Sequence, residues 1–135
     1  MSVNKVVIHT DGAARGNPGP AAIGATLKDE QGKLIATISR SLGVTTNNQA
    51  EYHAVIAALD KAVSLGAKNV ELKADSELVV KQINGRYKVK NTTLRPLYQE
   101  VVKLIGLLKS FKISYIPRAQ NAEADKLANK ALDGI

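Results

Sequence analysis

The stretch TDGAARGNPGP, residues 10–20, follows directly on the β-branched segment VNKVVIHTD at residues 3–11. The β-branched segment predicts a strand over residues 3–11, and the Gly and Pro residues after it predict a loop over residues 12–20. Asp11 stands where the two meet. Because ligands of open α/β sheets collect just beyond strand ends, Asp11 is a candidate ligand-binding group.

The rest of the chain alternates between helical and extended patterns. Strands are predicted over residues 22–28, 33–41, 69–74 and 111–116, and helices over residues 76–83, 92–109 and 122–133. A longer helix is predicted to run to about Leu65, with its N-cap among residues 45–48. Three successive strands followed by helix–strand units predict an α/β fold, with a mixed sheet and helices packed on it. We expect one domain over residues 1–135.

Composition limits the classes of function. Cysteine is absent, which excludes disulfides, thiolate nucleophiles and Cys-ligated zinc, and which fits a cytoplasmic location. We see no signal peptide and no stretch of transmembrane length, so we expect no membrane partner. The net charge of +7 favours an acidic partner such as nucleic acid, although many small basic proteins bind none.

Three further carboxylates occupy positions like that of Asp11. Glu51 begins the long helix and shares its apolar face, so its side chain is expected to point toward the sheet. Asp75 follows the strand at residues 69–74, and Asp125 borders the apolar face of the last helix. Each acid taken singly has a simpler interpretation, as a helix cap or as an acid favoured by a helix N-terminus.

Taken together, the four acids indicate a cation site. Clustered carboxylates repel one another at neutral pH unless a cation offsets their charge. Oxygen ligands suit Mg²⁺ or Mn²⁺, and two such ions about 3.5–4 Å apart commonly assist in-line displacement at phosphorus. The residue types and the basic charge balance therefore favour a metal-dependent nuclease.

Four segments carry a more specific signal: TDGAARGNPGPAAIGA (10–25), TTNNQAEYHA (45–54), ADSELVVKQI (74–83) and NAEADKLANKA (121–131). Together they resemble type 1 ribonuclease H over nearly the whole chain. The resemblance implies a five-stranded mixed sheet of order 3-2-1-4-5 flanked by helices. It also implies an endonuclease that hydrolyses the RNA strand of RNA–DNA hybrids with two Mg²⁺ ions, Mn²⁺ being a substitute, and leaves 5′-phosphate and 3′-hydroxyl ends.

The resemblance also assigns residues to the site, position by position. It implies that the metal ligands are Asp11, Glu51, Asp75 and Asp125. It implies substrate contacts through the backbone at Gly12 and Ala13 and through side chains that both donate and accept hydrogen bonds, and so can test for 2′-hydroxyl groups. Those side chains are Asn17, Asn47, Asn48 and Gln49, with Thr46 and Asn91 at a phosphate of the DNA strand.

The chain departs from many family members in two places. Residues 84–93 (NGRYKVKNTT) stand where those members carry a larger basic protrusion, so we expect weaker and more salt-sensitive hybrid binding. Arg118 stands in the loop before Asp125, where many members carry His, and the chain resembles the subgroup with Arg at this place. Arg118 either stabilises charge at the scissile phosphate or is simply an exposed loop residue.

Other functions remain open at this point. Nucleases and polynucleotidyl transferases of the same fold share an acidic cluster but lack the TTNNQAE segment. A non-catalytic hybrid-binding module would be expected to lose acids, and all four are present. Cleavage of double-stranded RNA is compatible with the subgroup resemblance, and a monomer is expected.

Overall fold

Three antiparallel strands open the chain in the computed structural model, which describes residues 4–134. They are β1 (Lys5–Ala14), β2 (Gly19–Lys28) and β3 (Leu34–Thr45). The helix α1 (Asn47–Ser64), the strand β4 (Asn69–Ala74) and the helices α2 (Glu77–Ile83) and α3 (Leu94–Ile105) follow. The strand β5 (Ser110–Tyr115) and the helix α4 (Ala122–Asp133) complete the chain.

The five strands form one mixed sheet of order β3-β2-β1-β4-β5, which confirms the expected topology. β1 is antiparallel to β2 and parallel to β4, and β4 is parallel to β5. β1 is therefore the central strand, with two strands on each side of it. The carboxyl end of β4 lies beside Thr10 of β1, since Thr10 pairs with Ala74 in the last step of their ladder.

The hairpin between β1 and β2 is longer than the sequence pattern predicts. The loop was expected over residues 12–20, but β1 runs to Ala14 and β2 starts at Gly19, with the pairs Ala13–Ala22 and Ala14–Ala21 extending the ladder. Small residues do not prevent strand pairing when both partners are small. The start of the first predicted strand, Val3, lies outside the described residues, as do the terminal residues of the expected 1–135 domain.

The helices match the predictions except at some ends. Thr46 caps α1 through a bond from the Gln49 N–H to the Thr46 side chain, and the Gln49 side chain accepts from the Thr46 N–H in return, a capping box. Gly66 adopts a positive φ of 84° just after α1, as its position predicts. The helix expected over residues 92–109 covers only Leu94–Ile105, because Gly106 ends it.

The core is built mainly from aliphatic side chains, as the absence of Trp and the presence of a single Phe indicate. Val6, Ile8 and Leu72 are fully buried in the sheet, and Tyr52 is the largest fully buried side chain. The Tyr52 hydroxyl donates to Gln82 Oε1 at 2.7 Å, which satisfies its polar end. Within residues 4–134, none of the helices has the length and apolar character needed to cross a bilayer.

Two glycines let helices approach the sheet at backbone distance. A Cβ at Gly12 would overlap the backbone of Ala50 and Glu51 in α1. A Cβ at Gly24 would overlap the backbone of Ala124 and lie 2.5 Å from the Ala128 nitrogen in α4. Side chains alternate across a strand, and Gly24 pairs with Asp11, the neighbour of Gly12. The helices α1 and α4 therefore cover opposite faces of the sheet.

We predict that Gly24→Ala destabilises the protein, because α4 would have to move away from β2. Overpacking of this kind costs about 1–3 kcal/mol. Chemical denaturation measures the loss, and Gly134→Ala is the matched control, since its nearest neighbouring atom would lie at 3.6 Å and its φ is −85°. Equal stability of the two variants would contradict the close packing at Gly24.

Candidate active site

Asp11 lies on the central strand of the sheet and is only 5% exposed. Its neighbour across the β1–β2 ladder is Gly24, the residue against which α4 packs. The strand therefore places a carboxylate beside the start of α4, at a point where glycine removes the side chain that would otherwise separate them.

Glu51 reaches the site from the first turns of α1. The contact of Gly12 with α1 brings the Gly12 N–H to Glu51 Oε1, which accepts its hydrogen bond at 2.9 Å. The second oxygen, Oε2, is buried and has no hydrogen-bond partner among the described residues. The inward orientation predicted from the helical pattern is confirmed, since Glu51 is 7% exposed.

Asp75 follows Ala74, the last residue of β4. Its alternative interpretation as a helix cap does not hold, because Ser76 is the N-cap of α2 and its hydroxyl accepts from the Val79 N–H. The carboxylate of Asp75 instead joins those of Asp11 and Glu51. One oxygen from each of these three residues lies within 4.8 Å of the other two.

A cavity is lined by Asp11, Glu51 and Asp75 together with Asp125, which lies outside the close group formed by the other three. Asp125 Oδ1 accepts hydrogen bonds from Asn129 Nδ2 at 3.3 Å and from the Arg118 guanidinium at 3.4 Å. The cavity has a volume of about 410 Å³. It is lined by Asp11, Gly12, Ala13, Ala14, Asn47, Asn48, Glu51, Asp75, Ser76, Arg118 and Asp125.

Burial and the neighbouring negative charges raise the pKa values of Asp11 and Glu51. Burial raises the pKa of Asp11, and the negative charges of Glu51 and Asp75 raise it further. Burial likewise raises the pKa of Glu51, against the opposing effect of the Gly12 N–H. A cation would offset both causes. The unpaired Glu51 oxygen and the all-oxygen ligand set are compatible with a divalent metal ion.

A second pocket of about 180 Å³ lies next to the main cavity. Asn48 lines both spaces, so the two are adjacent. Of the residues expected to contact substrate, Gly12, Ala13 and Asn47 face the main cavity, while Asn17, Thr46, Gln49 and Asn91 line the second pocket. The structure therefore brings together expected substrate-contacting residues from three separate segments of the chain, residues 12–17, residues 46–49 and Asn91.

Several of these side chains are held by hydrogen bonds within the protein. Asn17 Oδ1 accepts from the Asn47 N–H, and Asn47 Oδ1 accepts from the Ala14 N–H. Asn91 Oδ1 accepts from the N–H groups of Thr93 and Leu94, and so caps the start of α3. These bonds join the β1–β2 hairpin to α1 and fix Asn91 at the start of α3, so the lining of the second pocket is held within the protein itself.

Some residues of the site were not predicted from sequence. Gly24 controls how closely α4 approaches, and a glycine inside a strand pattern is a recognised sign of such an approach. Asn129 holds the Asp125 carboxylate one helical turn away. Asn121 is 1% exposed and donates from Nδ2 to the Thr10 carbonyl at 2.8 Å. No local pattern predicts the bond of Asn121, because its partner is 111 residues away, whereas Asn129 and Asp125 have the four-residue spacing at which side chains of one helix meet.

Comparison with known proteins places the chain among similar sequences. A family model described as reverse transcriptase-like matches residues 9–131. The Bifunctional protein Rv2228c of Mycobacterium tuberculosis is 45% identical over 130 residues, which are 96% of this chain and 36% of that protein. Ribonuclease HI of Halobacterium salinarum is 43% identical over 96% of this chain and 65% of its own length. The chain thus spans only part of these relatives.

Solved structures show the same architecture. The crystal structure of RNase H1 from Halobacterium salinarum superimposes with a TM-score of 0.95 at 42% identity, over 98% of this chain and 100% of the other. The structure of LC11-RNase H1 in complex with an RNA/DNA hybrid gives a TM-score of 0.91 at 42% identity, over 96% of this chain and 97% of the other.

The raised pKa values predict a pH-dependent stability of the metal-free chain. Asp11 ordinarily titrates at 3.8 and here at about 10, so the folded chain keeps a proton that the unfolded chain releases. The contribution of Asp11 to stability is therefore full below pH 3.8 and is lost as the pH rises toward 10. We expect Asp11→Asn, which cannot ionise, to unfold at a higher temperature than the wild type at pH 8 in chelator.

Thermal unfolding at pH 5 and pH 8 measures this difference. The gain should be larger at pH 8 and amount to roughly 4 °C for each kcal/mol of repulsion relieved. Added Mg²⁺ should raise the midpoint of the wild type more than that of Asp11→Asn. A variant that is less stable than the wild type by the same amount at both pH values would contradict the electrostatic account.

Proposed function

The chain belongs to the ribonuclease H family, and on that basis we propose that it is a metal-dependent endoribonuclease acting on RNA–DNA hybrids. It hydrolyses the RNA strand and leaves 5′-phosphate and 3′-hydroxyl ends. The observation that carries this proposal is the group of three carboxylates, Asp11, Glu51 and Asp75, whose oxygens lie within 4.8 Å of one another in an open cavity. The hybrid bound to the similar LC11-RNase H1 supports the choice of substrate.

Four carboxylates would hold the metal in this proposal: Asp11, Glu51, Asp75 and Asp125. Two Mg²⁺ ions, or Mn²⁺ in their place, would supply activation of the attacking water and neutralisation of charge on the departing 3′ oxygen. The chain itself orients the ligands. The Gly12 N–H holds one oxygen of Glu51 and leaves the other without a protein partner, while Asn129 holds Asp125.

The substrate-contacting residues surround the carboxylates on the hairpin and α1 side. We propose that Gly12, Ala13, Asn17, Asn47, Asn48 and Gln49 read the minor groove of the hybrid, and that Thr46 and Asn91 hold a phosphate of its DNA strand. The hydrogen bonds already joining these residues support a preformed surface, which reduces the entropy lost on binding.

The charge distribution suits a polyanionic substrate. The chain carries a net charge of +7, and four of its twelve acidic residues line the cavity, where a cation would neutralise them. The loop at residues 84–93 contributes Arg86, Lys88 and Lys90, all largely outside the core. Lys81 lies 5.1 Å from the centre of the Tyr87 ring, which anchors that loop to α2. The loop therefore presents a short basic surface, and its Asn91 lines the second pocket.

Arg118 is proposed to stabilise negative charge at the scissile phosphate. Its side chain is 80% exposed and lies 3.4 Å from Asp125 Oδ1, at the mouth of the cavity. It can donate hydrogen bonds to a phosphate, and it cannot shuttle protons at neutral pH because guanidinium stays protonated.

We further propose a single domain over residues 1–135, a monomer, and a cytoplasmic location.

A panel of labelled substrates tests the proposed activity directly. We expect Mg²⁺- or Mn²⁺-dependent cleavage of an RNA–DNA hybrid and no cleavage of double-stranded DNA or single-stranded RNA. Cleavage of double-stranded RNA in the same panel would extend the substrate range to a second duplex with 2′-hydroxyl groups in its minor groove. Cleavage of double-stranded DNA would instead favour another nuclease of the same fold.

We predict that Asp11→Asn lowers turnover by at least about a thousandfold, since it removes a central ligand of the proposed metal site. Hybrid binding, measured by fluorescence anisotropy in Ca²⁺ or chelator, should remain within about threefold of wild type, because the groove contacts lie on other residues. Undiminished cleavage by this variant, or by the wild type in excess chelator, would refute the metal-dependent mechanism.

Arg118→Ala is expected to lower kcat by about tenfold or more while KM changes little, as for an interaction that matters chiefly in the transition state. Arg118→Lys should recover only part of the loss, since an ammonium lacks the planar pair of donors. Arg40→Ala, an exposed arginine of β3, is the control. If turnover of Arg118→Ala equals that of the control, Arg118 is only an exposed loop residue.

A further inference from the structure

Asn121 occupies an unusual place at the start of α4. It is the N-cap residue of that helix, and asparagine is among the side chains that most favour this position. Yet its side chain makes no capping hydrogen bond to α4. Instead Nδ2 donates across to the Thr10 carbonyl in β1, at 2.8 Å and 111 residues away in sequence. The side chain is therefore used for a contact between elements.

The main chain of Asn121 is tied to the same region. Its carbonyl accepts from the Asp125 N–H at 3.1 Å, and its own N–H donates to the Arg118 carbonyl at 2.9 Å. Its Nδ2 partner, Thr10, immediately precedes Asp11 and lies at the last pairing of β1 with β4. One buried residue is thus bonded to the strand of Asp11, the helix turn of Asp125 and the loop of Arg118.

A purely structural role accounts poorly for this choice of residue. Asn121 is 1% exposed, and its Oδ1 is buried without a hydrogen-bond partner among the described residues. Burying an unsatisfied polar atom costs about 1–3 kcal/mol, which an apolar side chain would avoid. The contact to Thr10 is what an apolar residue cannot make. Gly24 lets α4 approach the sheet, and Asn121 determines where along β1 the helix starts.

We propose that Asn121 is a positioning residue, which holds Asp125 in register with Asp11 through its hydrogen bond to the Thr10 carbonyl. This inference rests on the proposed function, since it concerns the geometry of the same cation site. Asn121 touches neither substrate nor cation. Its hydrogen bond fixes the distance between Asp11 in β1 and Asp125 in α4, which share neither a β-ladder nor a helix.

The test compares Asn121 with a second asparagine that makes the same kind of bond elsewhere. Asn84 donates from Nδ2 to the Ile113 carbonyl of β5 at 3.2 Å, away from the acids. Asn121→Ala removes the donor, and Asn121→Asp keeps the shape but directs an acceptor at the Thr10 carbonyl. Asn84→Ala is the matched control for the loss of one amide-to-strand bond.

Mn²⁺ binding to each folded variant, measured by isothermal titration calorimetry without substrate, is the decisive readout. We expect Asn121→Ala and Asn121→Asp to bind Mn²⁺ about 10- to 100-fold more weakly than wild type, as found for residues that orient metal ligands. In cleavage assays kcat should fall while KM for the hybrid stays within about twofold. Asn84→Ala should bind Mn²⁺ as wild type does. If Asn121→Ala does not fold, Asn121→Ser takes its place.

The outcomes separate the two hypotheses. If the Asn121 variants bind Mn²⁺ as tightly as Asn84→Ala, with only their unfolding temperature lowered, then Asn121 is structural and this inference is wrong. The proposed function would survive that result, because the wild type would still bind Mn²⁺ and cleave. A wild type that neither binds Mn²⁺ nor cleaves the hybrid would refute the proposed function instead.

Discussion

Repulsion between buried carboxylates is the constraint on which the site depends. Oxygens of Asp11, Glu51 and Asp75 lie within 4.8 Å of one another, and the burial of Asp11 and Glu51 removes water that would screen their charges. The metal-free protein tolerates this arrangement by retaining protons, as the raised pKa values of Asp11 and Glu51 indicate. A divalent cation would replace those protons, so the same feature that costs stability creates affinity for metal.

The fold imposes this arrangement through close backbone contacts. Gly12 follows Asp11 in β1 and lets the backbone of α1 approach the sheet, and Gly24 pairs with Asp11 from β2 and lets the backbone of α4 approach. Glu51 comes with α1 and Asp125 with α4, from opposite faces of the sheet. Amides then set the detail: the Gly12 N–H orients Glu51, Asn129 holds Asp125, and Asn121 joins α4 to β1. Rigid elements rather than long loops therefore carry the acids.

The net charge of the whole chain is opposite in sign to that of the carboxylates in the cavity. With a net charge of +7, the chain attracts polyanions, while the acidic cavity would repel them unless cations are present. Arg118 stands at the boundary, contacting Asp125 and largely exposed to solvent. Metal and nucleic acid would thus reinforce each other's binding, since each supplies the charge that the other needs. The small basic loop at residues 84–93 contributes less to this attraction than a larger protrusion would.

The sequence by itself determined the order of the elements, the sheet topology implied by resemblance, and the inward direction of Glu51, because periodicity and short motifs are local properties. It identified all four acids, and the structure places them around one cavity. Local patterns misjudged the extent of the β1–β2 hairpin and of α3, whose ends depend on pairing partners and on where a helix loses its contacts.

Only the tertiary structure decided how the acids are grouped. Oxygens of Asp11, Glu51 and Asp75 all lie within 4.8 Å of one another, whereas Asp125 lines the same cavity outside that group and is bonded to Arg118 and Asn129. The roles of Gly24 and Asn121 likewise emerged only from the fold, because a close backbone approach and a bond spanning 111 residues join distant parts of the chain. Such contacts exist only after the helices have packed on the sheet.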